Sequence, residues 1–294
     1  MTGVSQEVLK NLVLAGVKAV LCDSRPYPDA VLDTPSFFTT PANTSKKVKY
    51  NSVGHACQAA VEELNPLLGS CTVLDKSVQD LLQPDDTTLE EYDIVVASRI
   101  GMNDASRVAA KAKGKFYLVD CFGWNGACVL DLGRTPHQYR TETKNSKLSS
   151  IETVQHQIPL DQVWKTPLDQ KIGLARVDKK HPPLVWLQYR SILEYHAQTN
   201  QWPSAETAQE FAQAIQKHIA QKDLLKSLPC FETDNLLQWA TTATAQISPV
   251  CAVLGGVIGN EVIKAISGKG EPANNVLVLD GFEAKCRNLW IKPK

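Results

Sequence analysis

Short runs of apolar residues alternate with segments whose apolar residues recur every three or four positions. A continuous apolar run of about five residues is typical of a buried strand, and the longer period is typical of a helix with one buried face. Ser5 is expected to cap the first helix and Gly16 to end it. Strands are predicted at 17–22, 70–74, 92–97 and 115–120, and helices at 5–16, 51–64 and 103–113. The alternation predicts right-handed βαβ units and a mostly parallel sheet.

The pattern changes after the fourth predicted strand. Residues 122–125 form a turn, and a further strand follows at once over 127–132. Two strands joined by so short a turn run antiparallel, whereas parallel strands need a long crossover connection. We therefore expect antiparallel strands appended to the parallel sheet.

Beyond this hairpin lies a region of different character. Residues 133–183 are polar and weakly periodic, and we assign no structure to them. Helical patterns follow, with Ser204 as an expected N-cap and Glu206 in the first turn. These helices are predicted at 184–199, 204–228 and 234–246. The sequence thus predicts one α/β domain formed by two parts of the chain, 1–134 and 233–294. An insert over 135–232 separates the two parts, and its second half is largely helical.

The most apolar helix is predicted near the C-terminal end, over 249–267, with a proline at its start. Gly268 stands where a left-handed cap belongs. The glycines Gly255, Gly256 and Gly259 each cost about 1 kcal/mol relative to alanine in a helix interior. Close packing against another backbone is expected to offset that cost. By periodicity alone, the same pattern fits a buried crossover helix of any α/β domain.

Composition narrows the possible functions. The 294 residues are 43% hydrophobic, enough for one large α/β domain or one domain with an insert. Lys plus Arg and Asp plus Glu both total 31, so no overall field gathers nucleic acid or anionic lipid. No apolar run approaches the about 18 residues that span a bilayer, and no signal sequence begins the chain. We expect an intracellular protein that binds neither nucleic acid nor membrane, with its eight scattered cysteines reduced.

Three residues suggest chemistry, and for each we favour a structural role. Gly3 precedes the first helix, where a glycine-rich turn would meet phosphates, but a lone glycine also suits a helix cap. Asp23 follows a predicted strand, where dinucleotide-binding folds place an acidic residue on ribose, but it also suits the start of a turn. Cys230 is a candidate nucleophile, yet Glu232 and Asp234 oppose the thiolate form.

Other polar residues form no recognisable site. His55, His156 and His196 have no metal-ligand spacing to one another. The lysines within 46–49 fit an exposed loop edge, and a nuclear-import role for them or for 179–180 is an alternative. No Gly-x-x-x-x-Gly-Lys-Ser/Thr loop is found. Because the histidines lack metal-ligand spacing and the chain has no Cys-x-x-Cys pair, we predict no metal site.

Two segments resemble a known family: 120–126, which reads Asp-Cys-Phe-Gly-Trp-Asn-Gly, and 248–253, which reads Ser-Pro-Val-Cys-Ala-Val and opens the glycine-rich helix. With the buried strand after it, this helix resembles the end of the adenylation domain of ubiquitin-like-protein activating enzymes, which include bacterial ThiF and MoeB. Within that superfamily the chain is most similar to the small, non-thioester subunits of heterodimeric SUMO-activating enzymes. The resemblance implies a Rossmann-like, ThiF-type α/β fold and extends over 3–23, 51–66, 92–132 and 234–283.

The sequence departs from catalytic members of this superfamily where they handle ATP. Residues 34–38 read Thr-Pro-Ser-Phe-Phe in place of an Asn-Leu-Asn-Arg-Gln-like motif, and 97–99 lacks the aspartate that would hold Mg²⁺. The paired Cys-x-x-Cys motifs of a structural zinc site are also missing. No strand, glycine turn or Arg-Tyr-x-Arg-Gln-like motif precedes Met1. We expect an adenylation domain truncated at its start, with a hydrophobic gap in its sheet.

The resemblance implies an accessory subunit. The large thioester-forming subunit of a SUMO-activating enzyme would bind ATP and Mg²⁺ and adenylate SUMO, which this chain would meet through the heterodimer. We accordingly assign no catalytic, cofactor-binding or metal-binding residue to this chain, and we expect it in the nucleus and also the cytoplasm. Three alternatives stay open: the accessory subunit of a NEDD8-activating enzyme, whose insert is much larger than the one here, a stand-alone dinucleotide-binding oxidoreductase domain, and a scaffold without enzymatic role.

Overall fold

The computed structural model describes residues 1–27, 36–39, 50–142, 150–155, 157–166, 183–220, 225 and 228–291. The helices are α1 (Gly3–Leu14), α2 (Val53–Leu64), α3 (Val78–Leu81), α4 (Met102–Lys111), α5 (Leu160–Lys165), α6 (Leu184–Thr199), α7 (Ala208–Ile219), α8 (Thr233–Thr242) and α9 (Ser248–Ser267). The strands are β1 (Val20–Cys22), β2 (Thr72–Leu74), β3 (Ile94–Ala97), β4 (Lys115–Phe122), β5 (Asn125–Asp131), β6 (Gln138–Tyr139), β7 (Glu152–Thr153), β8 (Val276–Asp280) and β9 (Lys285–Leu289).

The strands form two parallel pairs and an antiparallel extension. β1 pairs with β2 in parallel, and β3 pairs with β4 in parallel. From β4 onward the order β4-β5-β8-β9 is antiparallel throughout, and β6 and β7 form a separate small hairpin. The prediction of an α/β fold with parallel strands and appended antiparallel strands is confirmed. β9 was not predicted, because four of its five residues are exposed and it lacks a buried apolar face.

β4 separates two hydrophobic layers. Phe116 and Leu118 face the layer that contains α6 and α7, whereas Tyr117 and Val119 face the layer formed by α1 and α9. This alternation follows from the two-residue period of a strand, and β4 is nearly continuously apolar because both its faces are covered. The helices predicted within 135–232 therefore share one core with the sheet.

Two predicted helix starts are wrong. α1 has Thr2, not Ser5, as its N-cap, and Ser5 is the third helical residue of a capping box: its amide donates to Thr2 Oγ1 (3.3 Å) while its hydroxyl accepts from the Thr2 amide (2.8 Å). α7 begins at Ala208, after Thr207. Ser204 instead donates to the Glu206 carboxylate at 2.6 Å in a turn that precedes the helix. Serine and threonine hydroxyls hydrogen-bond to nearby groups in turns as well as at helix N-caps. The sequence alone therefore did not locate these two N-caps.

The glycine-rich helix α9 confirms its prediction, including the left-handed cap at Gly268 with φ +64°. A Cβ at Gly255 would lie 2.4 Å from Glu7 Cβ, and one at Gly259 would lie 2.9 Å from Asn11 Cβ. These two glycines let α1 approach the α9 backbone directly, which is the expected compensation. Gly256 differs, because a Cβ there would meet nothing within 4 Å.

The length of α9 contradicts one expectation about membrane-spanning segments. Its 20 residues include an 18-residue window of mean hydropathy 1.5, which is long and apolar enough to cross a bilayer by length and composition alone. The expectation that no apolar run approaches this length is therefore wrong. Half of that window is buried inside the protein, where α9 packs on α1 and the sheet, so the apolar length is that of a core helix.

Candidate functional site

A cavity of about 710 Å³ lies between β1 and β3 and reaches the carboxyl ends of both strands. Among the described strands, β1 pairs only with β2 and β3 only with β4, and the cavity lies between these two pairs. In open α/β sheets, ligands bind outside the carboxyl ends of the strands, near a helix N-terminus. The polar residues gathered at that place, which we call the carboxyl-end cluster, are Thr2, Asp23, Arg25, Ser98, Arg99 and Asp120.

The carboxylate of Asp23, the candidate ribose ligand, accepts hydrogen bonds from other groups of this chain. Its Oδ1 accepts from the Arg25 amide (3.2 Å) and from Arg25 Nε (2.9 Å), and its Oδ2 accepts from an Arg25 guanidinium nitrogen (2.6 Å) and from the Met1 amino group. Burial by itself would raise the pKa of Asp23, but these donors outweigh it and lower the pKa to about 2. The carboxylate thus forms the turn that we favoured.

Asp120 is the acidic residue that sequence reasoning missed. It is 3% exposed at the end of β4, where Oδ1 accepts from Ser98 Oγ (3.1 Å) and the Arg99 amide (2.7 Å), and Oδ2 accepts from the Tyr189 hydroxyl (2.8 Å). Burial raises the pKa of Asp120, against the favourable charge of Arg99. Thr2 Oγ1 lies 2.6 Å from Ser98 Oγ and joins α1 to this network. A carboxylate ending a buried strand was the available signal.

Arg99 adopts a left-handed backbone conformation, with φ +57°, which costs free energy in a residue with a side chain. The conformation turns its amide toward Asp120, and its guanidinium donates to the carbonyls of Ala243 (2.9 Å) and Cys121 (3.2 Å). Its guanidinium carbon lies 5.3 Å from the centre of the Trp202 ring. Arg99 therefore ties the end of β3 to β4, to the C-cap of α8 and to Trp202.

Gly3 and residues 36–38 are the two other positions that could belong to a nucleotide site, and both contain residues buried in the protein. Gly3 is the first residue of α1 and buried, as suits the cap-region glycine that we favoured. Of residues 34–38, the structure describes the last three: Phe38 is fully buried, and Gln6 Oε1 accepts from Ser36 Oγ (2.9 Å) and from the Phe38 amide (3.1 Å). Phe38 of this segment therefore packs into the core.

The other candidate residues are the cysteine Cys230, three histidines and two groups of lysines. Within the described residues, no three His, Cys, Asp or Glu side chains lie close enough to hold a metal ion. Burial raises the pKa of the Cys230 thiol to about 11, which disfavours the nucleophilic thiolate at neutral pH. His55 Nδ1 lies 2.9 Å from Ser52 Oγ, and the His196 ring lies 4.1 Å from that of Trp202. The lysines of 46–49 and 179–180, like His156, lie outside the described residues.

The two segments that carry the family resemblance pack against each other. Cys121 and Cys251 both lie in the buried layer that α1 and α9 cover. A Cβ at Gly126 would lie 2.6 Å from Leu254 Cδ2, so the glycine makes room for α9. The Gly123 amide donates to the Ala245 carbonyl at 2.9 Å, just before α9 begins. The β4–β5 hairpin and the start of α9 therefore form one structural unit.

Comparison with known proteins finds relatives that align with nearly the whole chain. No protein-family model matches the chain. The chain is 24% identical to SUMO-activating enzyme subunit 1 of Xenopus laevis over 307 residues and 24% identical to that of Homo sapiens over 312 residues. It is 28% identical to SUMO-activating enzyme subunit 1A of Arabidopsis thaliana over 304 residues. Each alignment covers 96% of this chain and 84% of the relative. These relatives favour neither the NEDD8 nor the oxidoreductase alternative, and along nearly all of its length the chain is similar to SUMO-activating enzyme subunit 1.

Proposed function

We propose that this chain is the accessory subunit of a SUMO-activating enzyme. Its partner is the large subunit, which binds ATP and Mg²⁺, adenylates SUMO and then holds it as a thioester. This chain supports both steps by completing the heterodimer, without itself binding nucleotide or metal. We also place it in the nucleus and the cytoplasm, an assignment that is supported by the family resemblance alone.

One observation carries this proposal: the polar groups of the carboxyl-end cluster are paired with one another. Asp23 holds Arg25, and Asp120 holds Ser98, Arg99 and Tyr189. A nucleotide entering here would have to break the hydrogen bonds that already pair these groups, each contributing about 0.5–3 kcal/mol, before making its own. A site with its donors and acceptors already paired stabilises a fold and leaves the reacting groups to the partner.

An exposed aromatic pair supports the heterodimer. Trp124, in the β4–β5 turn, is 50% exposed, and Phe282, in the β8–β9 turn, is 73% exposed. Their ring centres lie 5.9 Å apart, so the two turns present one apolar surface at the same edge of the sheet. Adjacent exposed aromatic side chains are typical of the residues that dominate protein–protein binding energy. We place part of the contact with the large subunit here.

Reconstitution tests the proposal. The chain is purified alone and together with the large subunit, and each preparation is given ATP, Mg²⁺ and SUMO. We expect SUMO thioester on the large subunit, seen as a reductant-sensitive band, only when both chains are present. ATP–pyrophosphate exchange by this chain alone, or failure of the two chains to associate, would contradict the proposal.

The surface is tested by the double variant Trp124→Ser/Phe282→Ser. We expect its affinity for the large subunit to fall at least about tenfold, as for loss of hot-spot aromatics. The matched control is Leu67→Ser, which removes an apolar side chain that is 96% exposed on a separate turn. Equal affinities for the double variant and the control would move the interface elsewhere.

A further inference from the structure

The side chain of Arg99, in the turn after β3, contacts both β4 and the end of α8. Its guanidinium donates to the carbonyls of Ala243 (2.9 Å) and Thr244 (3.4 Å), which directly follow α8, and to that of Cys121 (3.2 Å) on β4. The last carbonyls of a helix accept no hydrogen bond within the helix and must find donors elsewhere. Arg99, from a distant part of the chain, therefore caps the C-terminal end of α8.

Arg99 is held at both its backbone and its side chain. Its backbone φ is +57°, and its amide donates to the buried Asp120 carboxylate at 2.7 Å. Its guanidinium carbon lies 5.3 Å from the centre of the Trp202 ring, and that ring centre lies 4.1 Å from the centre of the His196 ring. Both aromatic residues belong to the segment 135–232. The Arg99 side chain is thus fixed between that segment and the sheet.

The segment that Arg99 caps also holds the β4–β5 turn. The Ala245 amide donates to the Thr242 carbonyl at 3.0 Å, which closes the end of α8 into a turn, and the Ala245 carbonyl accepts from the Gly123 amide at 2.9 Å. Gly123 has φ +67°, and a Cβ there would lie 3.0 Å from Thr242 Cβ. The β4–β5 turn therefore lies directly against the end of α8.

The same turn carries the exposed aromatic pair. Trp124 follows Gly123 in the chain and packs on Phe282, and we call the two rings the Trp124–Phe282 surface. A Cβ at Gly281 would lie 2.0 Å from the Trp124 carbonyl oxygen, so the β8–β9 turn lies against the β4–β5 turn. A displacement of Gly123 would move both turns. The position of the surface therefore depends on the end of α8 and on the group that caps it.

We propose that Arg99 is a positioning residue for the Trp124–Phe282 surface: its guanidinium fixes the end of α8, against which the β4–β5 turn lies. The inference rests on the proposed function only for the identity of the partner, the large subunit. A guanidinium has several N–H donors in one plane and can hold several carbonyls at once, whereas an ammonium is a point charge on a flexible stem. The surface then requires arginine itself, and not only its positive charge.

The first measurement uses the chain alone and the variant Arg99→Lys, which keeps the charge and loses the planar donors. We expect hydrogen exchange at the amides of Gly123 and Ala245 to become at least about tenfold faster, because the local opening that exposes them becomes easier. Exchange at the amides of β8, in the middle of the antiparallel strands, should stay unchanged. A loss of stability spread over the whole fold would instead speed exchange in β8 as well.

The matched control is Arg190→Lys. Arg190, on α6, is buried and donates in the same way to the carbonyls of Val163 and Trp164, both at 3.0 Å. The change removes the same planar donors from another pair of carbonyls, so it should lower the stability of the chain without speeding exchange at Gly123.

The second measurement is the affinity of each variant for the large subunit. Arg99→Lys should bind at least about tenfold more weakly than the unmodified chain, whereas Arg190→Lys should bind like it. In the background of Trp124→Ser/Phe282→Ser, adding Arg99→Lys should weaken binding no further. A residue that acts only through a surface has no additional effect once that surface is lost.

If Arg99→Lys lacks a cooperative unfolding transition, Arg99→Gly replaces it with the same expectations, because glycine also relieves the left-handed backbone. Unchanged exchange at Gly123, or equal acceleration by Arg190→Lys, would overturn the positioning role. A further loss of affinity in the Trp124→Ser/Phe282→Ser background would also overturn it, since Arg99 would then act outside this surface. Failure of the unmodified chain to bind the large subunit would contradict the proposed function instead, and exchange at Gly123 would still decide the role of Arg99.

Discussion

The close approach of α1 and α9 predicts opposite effects for two neighbouring glycines. A Cβ added at Gly255 would lie 2.4 Å from Glu7 Cβ and 3.0 Å from the Glu7 carbonyl carbon, so the α1 backbone would have to move. A Cβ added at Gly256 would meet nothing within 4 Å. We therefore compare Gly255→Ala with Gly256→Ala, two identical changes one position apart in the same helix.

The magnitudes follow from two competing contributions. Alanine is favoured over glycine in a helix interior by about 1 kcal/mol, and both variants gain this. At Gly255 overpacking opposes the gain by about 1–3 kcal/mol, and more if the helices must separate over several residues. We expect Gly256→Ala to raise the free energy of unfolding by about 0.5–1 kcal/mol, and Gly255→Ala to lower it by as much as about 2 kcal/mol.

Urea denaturation of the full chain, followed by tryptophan fluorescence and by circular dichroism, measures both changes. The slope of the free energy with denaturant should be the same in both variants, because the native fold is kept. The reasoning would be refuted if both variants changed stability in the same direction, since helix propensity would then outweigh the α1–α9 contact. Gly259→Ala should behave like Gly255→Ala, because its added Cβ would lie 2.9 Å from Asn11 Cβ.

Three further predictions concern the candidate residues. The pKa of Asp23 in the folded chain, about 2, lies below its ordinary value of about 3.9, so Asp23 stabilises the fold above about pH 4 and this stability is lost as the pH falls through 2. Asp23→Asn should cost about 1–2 kcal/mol at pH 7, after a discount for the half-exposed Arg25, and flatten the acid limb of stability against pH; an unchanged limb would contradict the assignment. Tyr189→Phe leaves Asp120 Oδ2 without its donor and should cost about 1–3 kcal/mol in thermal or chemical denaturation, so a change below about 0.5 kcal/mol would show that the hydroxyl is dispensable. Cys230→Ser should leave the rate of SUMO thioester formation by the heterodimer unchanged, and a loss of thioester on non-reducing gels would revive its nucleophilic role.

The sequence predicted the elements whose pattern is local. The βαβ alternation, the hairpin after Phe122 and the cap at Gly268 were all found where the periodicity placed them. Helix starts were less accurate, because Ser5 and Ser204 form hydroxyl bonds that differ in the folded chain from those of a simple N-cap. The exposed strand β9 carried no periodic signal.

The candidate site was predicted only in part. Asp23 could be identified because it follows an apolar strand, but Asp120 follows one equally and was passed over. Its importance arises from Ser98, Arg99 and Tyr189, which are distant in sequence and reach it only after β3, β4 and α6 have packed together. The cavity between β1 and β3 and its apolar walls are properties of the assembled layers.

The sequence by itself determined the order of strands and helices, the two-faced burial of β4 and the need of α9 for a close neighbour, since these depend on side-chain period and on glycine's missing Cβ. Only the tertiary structure decided which backbone fills the space beside Gly255, which donors bond to Asp23 and Asp120, and that, among the described strands, β1 pairs with β2 and β3 with β4. Hydrogen bonds and close contacts depend on distances of a few tenths of an ångström between residues far apart in the chain, and such distances are fixed only when all the layers pack at once.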